Sequence, residues 1–382
     1  MNKVYAFRAL HTFAISLIGL FVPIYLFKSG FQLVEIILYN VAVSIIFLFM
    51  IPIVVKVIKD IGFKYTLLLS IPFYLLHIFF LNFVIDVNGN LNYYYFNLSW
   101  VIYGFYLAFF WLTFHSEVAL NGSNKHRGSQ MGTLQIITGI FGTAAPILGG
   151  FVLDNYSYFY LFGFSSIVVL IGMVPLLRAK DIKLKHYDFE YKDYLIMLNS
   201  NKDVSSKRAF AFEGFNNLLL LILWPIVVFQ LLNESYFNYG ALITFISFFS
   251  IIMILYIKSY FDKRNKTIFL QKTSKYLSLS WFFKSFIVFF GMLFLFIIES
   301  IAKFVWQIFS LLFTSIFYNN AKKHGYMDYI ILRELYLHIS KIIFGIILIL
   351  IFIFFGTQIY ILNAIIFTGV IISLGLGHLK EI

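Results

Sequence analysis

Carboxylates, amines and imidazoles are scarce in this chain, and several of them interrupt long apolar runs. A charge at the centre of a bilayer costs a few kcal/mol, about 2.5–3.5 on insertion scales, so such a residue has a partner, a wet cavity or a function. Glu299 and Lys303 stand four residues apart in one run, a spacing that places both on one helix face, with Trp306 and Gln307 on the next turn. A ligand or proton competing with Lys303 for Glu299 would make this a switchable site; a self-neutralising pair would make it structural. Glu213 and His11 form a second set, each able to carry a proton through a cycle, and as a facing pair they would close a gate. Asn216, Asn217 and Arg8 lie beside them and extend the polar character. His115 and Glu117, like Arg333 and Glu334, fall near run ends and read as headgroup anchors. Lys284 and Lys341 have no sequence-local partner and read as snorkelling, and His77 as an interhelical hydrogen bond.

Other chemistries lack their residues. There is no cysteine, which removes disulfides, thiolate metal sites and cysteine nucleophiles. No Gly-x-x-x-x-Gly-Lys-Ser/Thr loop is present for nucleotide phosphates. The carboxylates between apolar runs, Glu35, Asp86, Asp154 and Glu234, are scattered singly, and the histidines are not spaced as ligands, so no metal site, cofactor or enzyme is expected. The net charge of +12 sits in short segments between apolar runs and not in a basic, aromatic-interleaved module, so nucleic acid is not an expected partner.

The elements that must carry these residues are membrane helices. The 382 residues are 61% hydrophobic and 12% charged, and about 20 apolar residues span a hydrocarbon core. The runs are Tyr5 to Phe27, Leu33 to Val55, Tyr65 to Ile85, Tyr93 to Val118, Gln130 to Leu153, Tyr156 to Leu177, Arg208 to Leu232, Phe237 to Ile257, Ser274 to Phe290, Gly291 to Phe317, Leu335 to Phe355 and Gln358 to Leu376. The first is read as a retained helix, since it lacks a small-residue cleavage site. The ninth is the weakest, because Lys272, Lys275 and Lys284 fall in or beside it. Twelve crossings collect Lys3, Arg8, Lys59, Lys64, Lys125, Arg178 to Lys207, Lys263, Lys266, Lys322 and Lys380 on one face and leave only Lys28 on the other. The positive-inside rule makes the rich face cytoplasmic and puts both termini there, in an all-α, multi-pass protein of the cell (inner) membrane.

The polar stretch Arg178 to Lys207 divides the runs six and six, giving expected bundles at 1–178 and 207–382 around a cytoplasmic linker at 179–206 with an amphipathic turn near Tyr187 to Leu198. The halves match at an offset of 202 residues: Ala9, Pro23, Ile24, Phe27, Asp60 and Lys64 fall on Ala211, Pro225, Ile226, Phe229, Asp262 and Lys266. A parallel repeat of this kind places a solute site between the halves near mid-membrane. The fifth run carries Gly142, Pro146, Gly149 and Gly150, which allow close backbone approach and bending.

With these features the chain resembles the major facilitator superfamily. The loop Lys59-Asp60-Ile61-Gly62-Phe63-Lys64 is similar to the family's Asp-Arg-x-Gly-Arg-Lys loop with acid and base transposed, and Asp262 to Lys266 is its degenerate copy. The resemblance implies that these loops latch the cytoplasmic side through charge pairs and helix ends. Pro146-Ile147-Leu148-Gly149-Gly150 looks like the end of a motif of proton-coupled exporters, with Ala145 replacing a glycine. It also implies that helices 1, 4, 7 and 10 line the cavity, where Trp111, Trp224 and Tyr25 could stack on a substrate. The expectation is a monomeric secondary transporter of a small solute working by alternating access in membrane lipid, with proton-coupled efflux as the finer reading. A lipid flippase and an integral-membrane enzyme acting on a lipid-linked substrate are the alternatives.

Overall fold

The computed structural model describes residues 2–121, 127–184, 187–257 and 265–381. Apart from one isolated bridge between Ile85 and Leu91, the described chain is helical. Its elements are α1 (Asn2–Ile18, continued after a break by Val22–Lys28), α2 (Leu33–Ile61), α3 (Phe63–Leu81), α4 (Tyr93–Leu107, a π segment Ala108–Leu112, then Thr113–Asn121), α5 (Arg127–Asn155), α6 (Tyr158–Leu177) and the short α7 (Tyr191–Asn199). After it come α8 (Val204–Leu218, a π segment Leu219–Leu223, then Trp224–Leu231), α9 (Tyr236–Ile257), α10 (Lys266–Lys284), α11 (Ile287–His324), α12 (Tyr326–Phe355) and α13 (Ile359–Leu376). Large apolar side chains are outward-facing along these helices, among them Phe79, Ile171, Leu293 and Phe354, as a lipid solvent requires.

Among the described residues ten helices are long and apolar enough to cross a membrane. The other two long helices are α9, whose qualifying apolar stretch Tyr236–Ile252 is shorter, and α10. The ninth apolar run was expected over Ser274 to Phe290; the helix instead covers Lys266–Lys284 and ends in a turn at Ser285 and Phe286. The shift has an electrostatic reason, since Lys284 is held inside the protein and not at an interface. Within α11 the φ of +76° at Gly291 interrupts the helix, so the expected start of the tenth run does coincide with a backbone break.

Hydrogen bonds gather both ends of the chain on one face. Lys3 donates to the Arg178 carbonyl (2.6 Å), Lys64 Nζ to the Ala179 carbonyl (3.4 Å), Tyr187 to Asp328 (2.6 Å), and Asn320 to the Lys380 carbonyl (2.7 Å). We call this the terminal face. In the first part of the chain α1 packs on α5 and α6, and α3 on α4; in the second, α8 packs on α12 and α13, and α10 on α11 and α13. The two parts meet along α5 with α9 and along α2 with α12.

The α5–α9 seam depends on missing side chains. A Cβ at Gly150 would stand 2.3 Å from the Tyr236 carbonyl oxygen, and one at Gly240 2.1 Å from that of Pro146. On the α1 side a Cβ at Gly149 would meet the Leu17 carbonyl oxygen at 2.6 Å, and Gly142 lies beside Ser16 and Thr12. Thr244 of α9 enters the proline-weakened ladder of α5: its hydroxyl donates to the Thr143 carbonyl (2.7 Å) and accepts from the Ile147 N–H (3.1 Å). Pro52 has a similar consequence in α2. It leaves the Leu48 carbonyl without an i+4 donor, and the Tyr194 hydroxyl of α7 supplies one at 2.6 Å, with Tyr191 on Phe49 beside it. The expected amphipathic linker turn is therefore α7, with Leu195 and Ile196 exposed on its outer side. Burial and the hydrogen bond to the Asp328 carboxylate raise the pKa of the nearby Tyr187 phenol, which keeps it a donor.

Replacement of Gly240 by Ala is expected to lower the unfolding midpoint of the purified protein, because overpacking against a backbone carbonyl costs about 1–3 kcal/mol. Gly163→Ala, where open space surrounds the new methyl, is expected to leave the midpoint unchanged or raise it. Equal effects of the two substitutions, read by thermal unfolding in one detergent, would refute the close seam.

Candidate functional site

Two groups of buried charge join helices that the resemblance nominated, α4, α8 and α11, to partners on α10 and α12 that it did not. The first lies between α10 and α11. Lys284 Nζ is 2.6 Å from Glu299 Oε1, both side chains being almost fully buried. The ammonium also sits 4.3 Å from the Trp224 ring centre and 4.8 Å from that of Trp281. Snorkelling was the expectation for Lys284, and an internal ion pair replaces it. Glu299 is thereby engaged across helices and not by Lys303 one turn along, as its spacing suggested. Among the described residues Lys303 makes no hydrogen bond or ion pair, and its side chain is half-buried. Two lysines and one glutamate give the group a formal surplus of one positive charge.

From Lys303 the polar face of α11 continues at helical spacing through Gln307, Ser310 and Thr314 to Tyr318. Trp306, beside this stripe, stacks on Phe309. Gln135 of α5 reaches across to donate to Ser310 (3.0 Å). Its Oε1 is buried without a partner, as are Thr12 Oγ1 on α1 and Thr143 Oγ1 on α5.

The second group lies toward the terminal face. Arg333 of α12 grips Glu213 of α8 with two bonds, Nε to Oε2 at 3.0 Å and Nη2 to Oε1 at 2.5 Å. Its Nη1 donates to Glu334 (2.6 Å) and to His115 Nε2 of α4 (3.1 Å). An accepting Nε2 leaves the His115 proton on Nδ1, from which it is donated to Tyr318 at 2.6 Å. His338 lies 3.7 Å from the second oxygen of Glu334. His115, Arg333 and Glu334, expected as headgroup anchors, thus form a bridge between the parts of the chain before and after α7. The sequence had no signal for it because His115 and Glu213 each lie more than a hundred residues from Arg333.

His11 and Glu213, equivalent under the 202-residue offset, do not face each other as a gate. His11 accepts from Arg8 at Nδ1 (2.9 Å) and reaches the Tyr106 hydroxyl through Nε2 (2.9 Å), while stacking on Phe110 at 3.9 Å. Arg8 rests against three rings, with its Cζ 5.3 Å from Phe110, 4.9 Å from Trp111 and 5.1 Å from Phe114. The π segment of α4 contributes the first two of these rings. Among the described residues Arg8 has no carboxylate partner. Asn217 is half-buried, and its neighbour Asn216 is fully buried with both amide atoms unpaired. Tyr25 and Trp224, offered as substrate stackers, are otherwise engaged: Tyr25 donates to the Leu81 carbonyl (3.0 Å), and Trp224 flanks Lys284. His77 does make the interhelical contact expected of it, to the Ser99 carbonyl at 3.2 Å.

The expected latch loop docks onto the linker. Gly62 has a φ of +91° and would clash with the Asp181 carboxylate if it carried a Cβ. Asp181 accepts from the Lys64 N–H at the start of α3 (3.0 Å), and Lys59 pairs with Asp188 (2.5 Å). Asp60 is exposed and, among the described residues, makes no ion pair. Of the second loop, Lys266 stands 4.0 Å from Glu381, and Asp262 lies outside the described residues. No group of three or more potential metal ligands occurs among the described residues.

A family model described as Major Facilitator Superfamily matches residues 4–321. Among curated proteins no sequence match is found. Solved structures share the fold at low identity. The human organic anion transporter MFSD10 (TETRAN) is 11% identical with a TM-score of 0.65, covering 97% of this chain and 98% of that one. A single-residue variant of the E. coli fucose:proton symporter FucP is 14% identical with a TM-score of 0.64, covering 98% and 97%. A bacterial homologue of the iron transporter ferroportin in an outward-facing state is 11% identical with a TM-score of 0.65, covering 97% and 98%.

Breaking a buried pair strands a charge and costs about 3–5 kcal/mol, whereas replacing both partners by apolar residues is often neutral. Lys284→Met alone is therefore expected to destabilise the protein strongly, and Lys284→Met with Glu299→Met to recover most of the loss. A double-mutant cycle on thermal unfolding checks this, and simple additivity of the two changes would show the pair to be uncoupled.

Proposed function

We propose, from the premise that the chain belongs to the Major Facilitator Superfamily, that it is a proton-coupled transporter of a small solute with Glu213 as the coupling carboxylate. At the level of the family it is a multi-pass membrane protein and a secondary transporter that works by alternating access, not an enzyme. In the proposed topology twelve crossings form six-helix bundles at 1–178 and 207–382, joined by the linker at 179–206. The terminal face lies in the cytoplasm and the chain acts as a monomer. The corresponding packing of α1 on α6 and α8 on α13, and of α3 on α4 and α10 on α11, supports a repeated bundle.

The observation that carries the coupling proposal is the bond set of Arg333. This one guanidinium is held by Glu213 within the second part of the chain and reaches His115 in the first. Alternating access requires cross-bundle contacts that form in one state and break in the other. Protonation of Glu213 removes one of the two carboxylates that hold Arg333 and leaves Glu334 as its anchor within α12, so a proton arriving at one residue loosens the hold that presents Arg333 to His115 across the bundles. Glu299, committed to Lys284, is assigned to solute binding with Lys303, Trp306 and Gln307, while His11 and Asn217 line the approach. The loops at Lys59–Lys64 and at Asp262 and Lys266 brace the cytoplasmic ends, and Gly142, Pro146, Gly149 and Gly150 let α5 move against its neighbours.

An apolar groove open between α5, α9 and α11 favours one second reading, lipid flipping. A fluorescent phospholipid reporter in the same vesicles separates the two: protein-dependent lipid exchange with no solute flux would establish the flippase.

In proteoliposomes screened with sugars, amino acids, organic anions and organic cations, the wild type is expected to concentrate one class when a proton gradient is imposed. Glu213→Gln is expected to retain exchange of that solute across the membrane at equal concentration and to lose accumulation. A variant that still accumulates solute like the wild type would remove Glu213 from the coupling role.

A further inference from the structure

The groove between α5, α9 and α11 encloses about 1240 Å³. Its walls are apolar side chains such as Ile140, Ile147, Phe245, Phe248 and Phe296, relieved by Thr143, Thr244 and Asn238. It opens sideways toward lipid, where Phe248 and Leu293 are exposed. On α11 the groove-lining Met292 and Phe296 are followed at i+7 and i+11 from Met292 by Glu299 and Lys303, which returns both to the same helix face. Lys303 is thus seven residues, about 10 Å, beyond Phe296 along that face.

An apolar groove lined partly by this helix face therefore leads along it toward a cation whose nearest carboxylate is already taken by Lys284. Nothing else among the described residues neutralises Lys303. In a low-dielectric interior an unmatched ammonium favours an anion, and the groove favours a body that is not hydrated. Thr143 Oγ1, buried in the groove lining without a partner, offers one hydrogen bond beside that body.

We propose that the solute is an amphipathic organic monoanion that enters from the bilayer through the α5–α9–α11 groove and places its carboxylate on Lys303, with its apolar body against Phe245, Phe248 and Phe296. Gln307, one turn further along the stripe, is the second polar contact for the headgroup. The inference rests on the transport reading above and names the substrate class of the same site.

Radiolabelled decanoate serves as the probe, bound to the full chain in lipid nanodiscs with empty nanodiscs as background. Acetate, decanol and decyltrimethylammonium act as competitors. Decanoate is expected to bind saturably, and each competitor to be weaker by about tenfold or more, since each lacks either the charge or the body. Lys303→Gln is expected to weaken decanoate binding by about tenfold, and Lys303→Arg to keep it. Ala241→Trp, which fills the groove without touching the charge, is expected to weaken it as well, so that the test does not depend on one variant folding. Decanol or decyltrimethylammonium binding as well as decanoate, or Lys303→Gln binding like wild type in folded protein, overturns the proposal: the groove then holds lipid chains only. Vesicle flux separates the two readings. Transport of a sugar or cation unaffected by Lys303→Gln overturns the substrate class and leaves transport standing. Lys303-dependent decanoate binding without flux of any solute supports the site and counts against transport.

Discussion

The hydrocarbon core offers no water to a polar group, and this constraint organises everything else in the molecule. Backbone groups are satisfied within helices, so every long element of the described chain is a helix. At two of the helix-interior prolines another helix enters the ladder: Thr244 bridges the rung between Thr143 and Ile147 beside Pro146, and Tyr194 donates to the carbonyl of Leu48 that Pro52 leaves free. Both repairs come from a different element, so each break is also a joint between elements. A joint made by one hydroxyl is worth only about 1 kcal/mol, which suits surfaces that must separate and rejoin during a transport cycle.

The same constraint sorts the charges. Lys284 with Glu299, and Arg333 with Glu213 and Glu334, are paired at hydrogen-bond distance because neither partner could persist alone. Among the described residues Arg8 and Lys303 are not paired with carboxylates, and they differ in how their charge is tolerated. Arg8 rests against three ring faces and donates to one histidine, contacts that suit a weakly hydrated guanidinium. Lys303 has no such cage; its compact ammonium keeps demanding an anion or water. That asymmetry is why the proposed anion is placed on Lys303 and not on Arg8.

Membrane residence, the resemblance to a transporter family and the positions of most interior charges were legible in the sequence, because hydropathy and the distribution of lysines are local properties. Pairings were not. Glu299 has a lysine four residues away in sequence and another fifteen away, and only the angle between α10 and α11 decides that Lys284 takes the carboxylate. Arg333 was legible as a charge near a helix end and illegible as a bridge, since His115 lies 218 residues before it. The ninth helix was misplaced for the same reason: a buried, paired lysine carries the hydropathy signature of an interface. The π segments of α4 and α8 also left no sequence signal, as they consist of ordinary apolar residues whose register is set by packing.

These two levels meet in α11. Its polar stripe runs from Lys303 to Tyr318, and Tyr318 receives the hydrogen bond of His115, which in turn accepts from Arg333. Lys303, the proposed headgroup site, and Tyr318 therefore stand at opposite ends of one α11 face, and hydrogen bonds join Tyr318 through His115 and Arg333 to Glu213, the carboxylate of the coupling proposal. A helix of this length transmits an axial shift with little loss, because each backbone bond constrains the next turn. In the proposal an anion neutralises Lys303 at one end, and protonation of Glu213 leaves Arg333 held by Glu334 alone at the other. In the proposed cycle either event acts on the contacts that α11 makes with α4 and α5, so anion and proton share one element without touching each other. Coupling of this kind requires only that both ligands prefer the same position of α11.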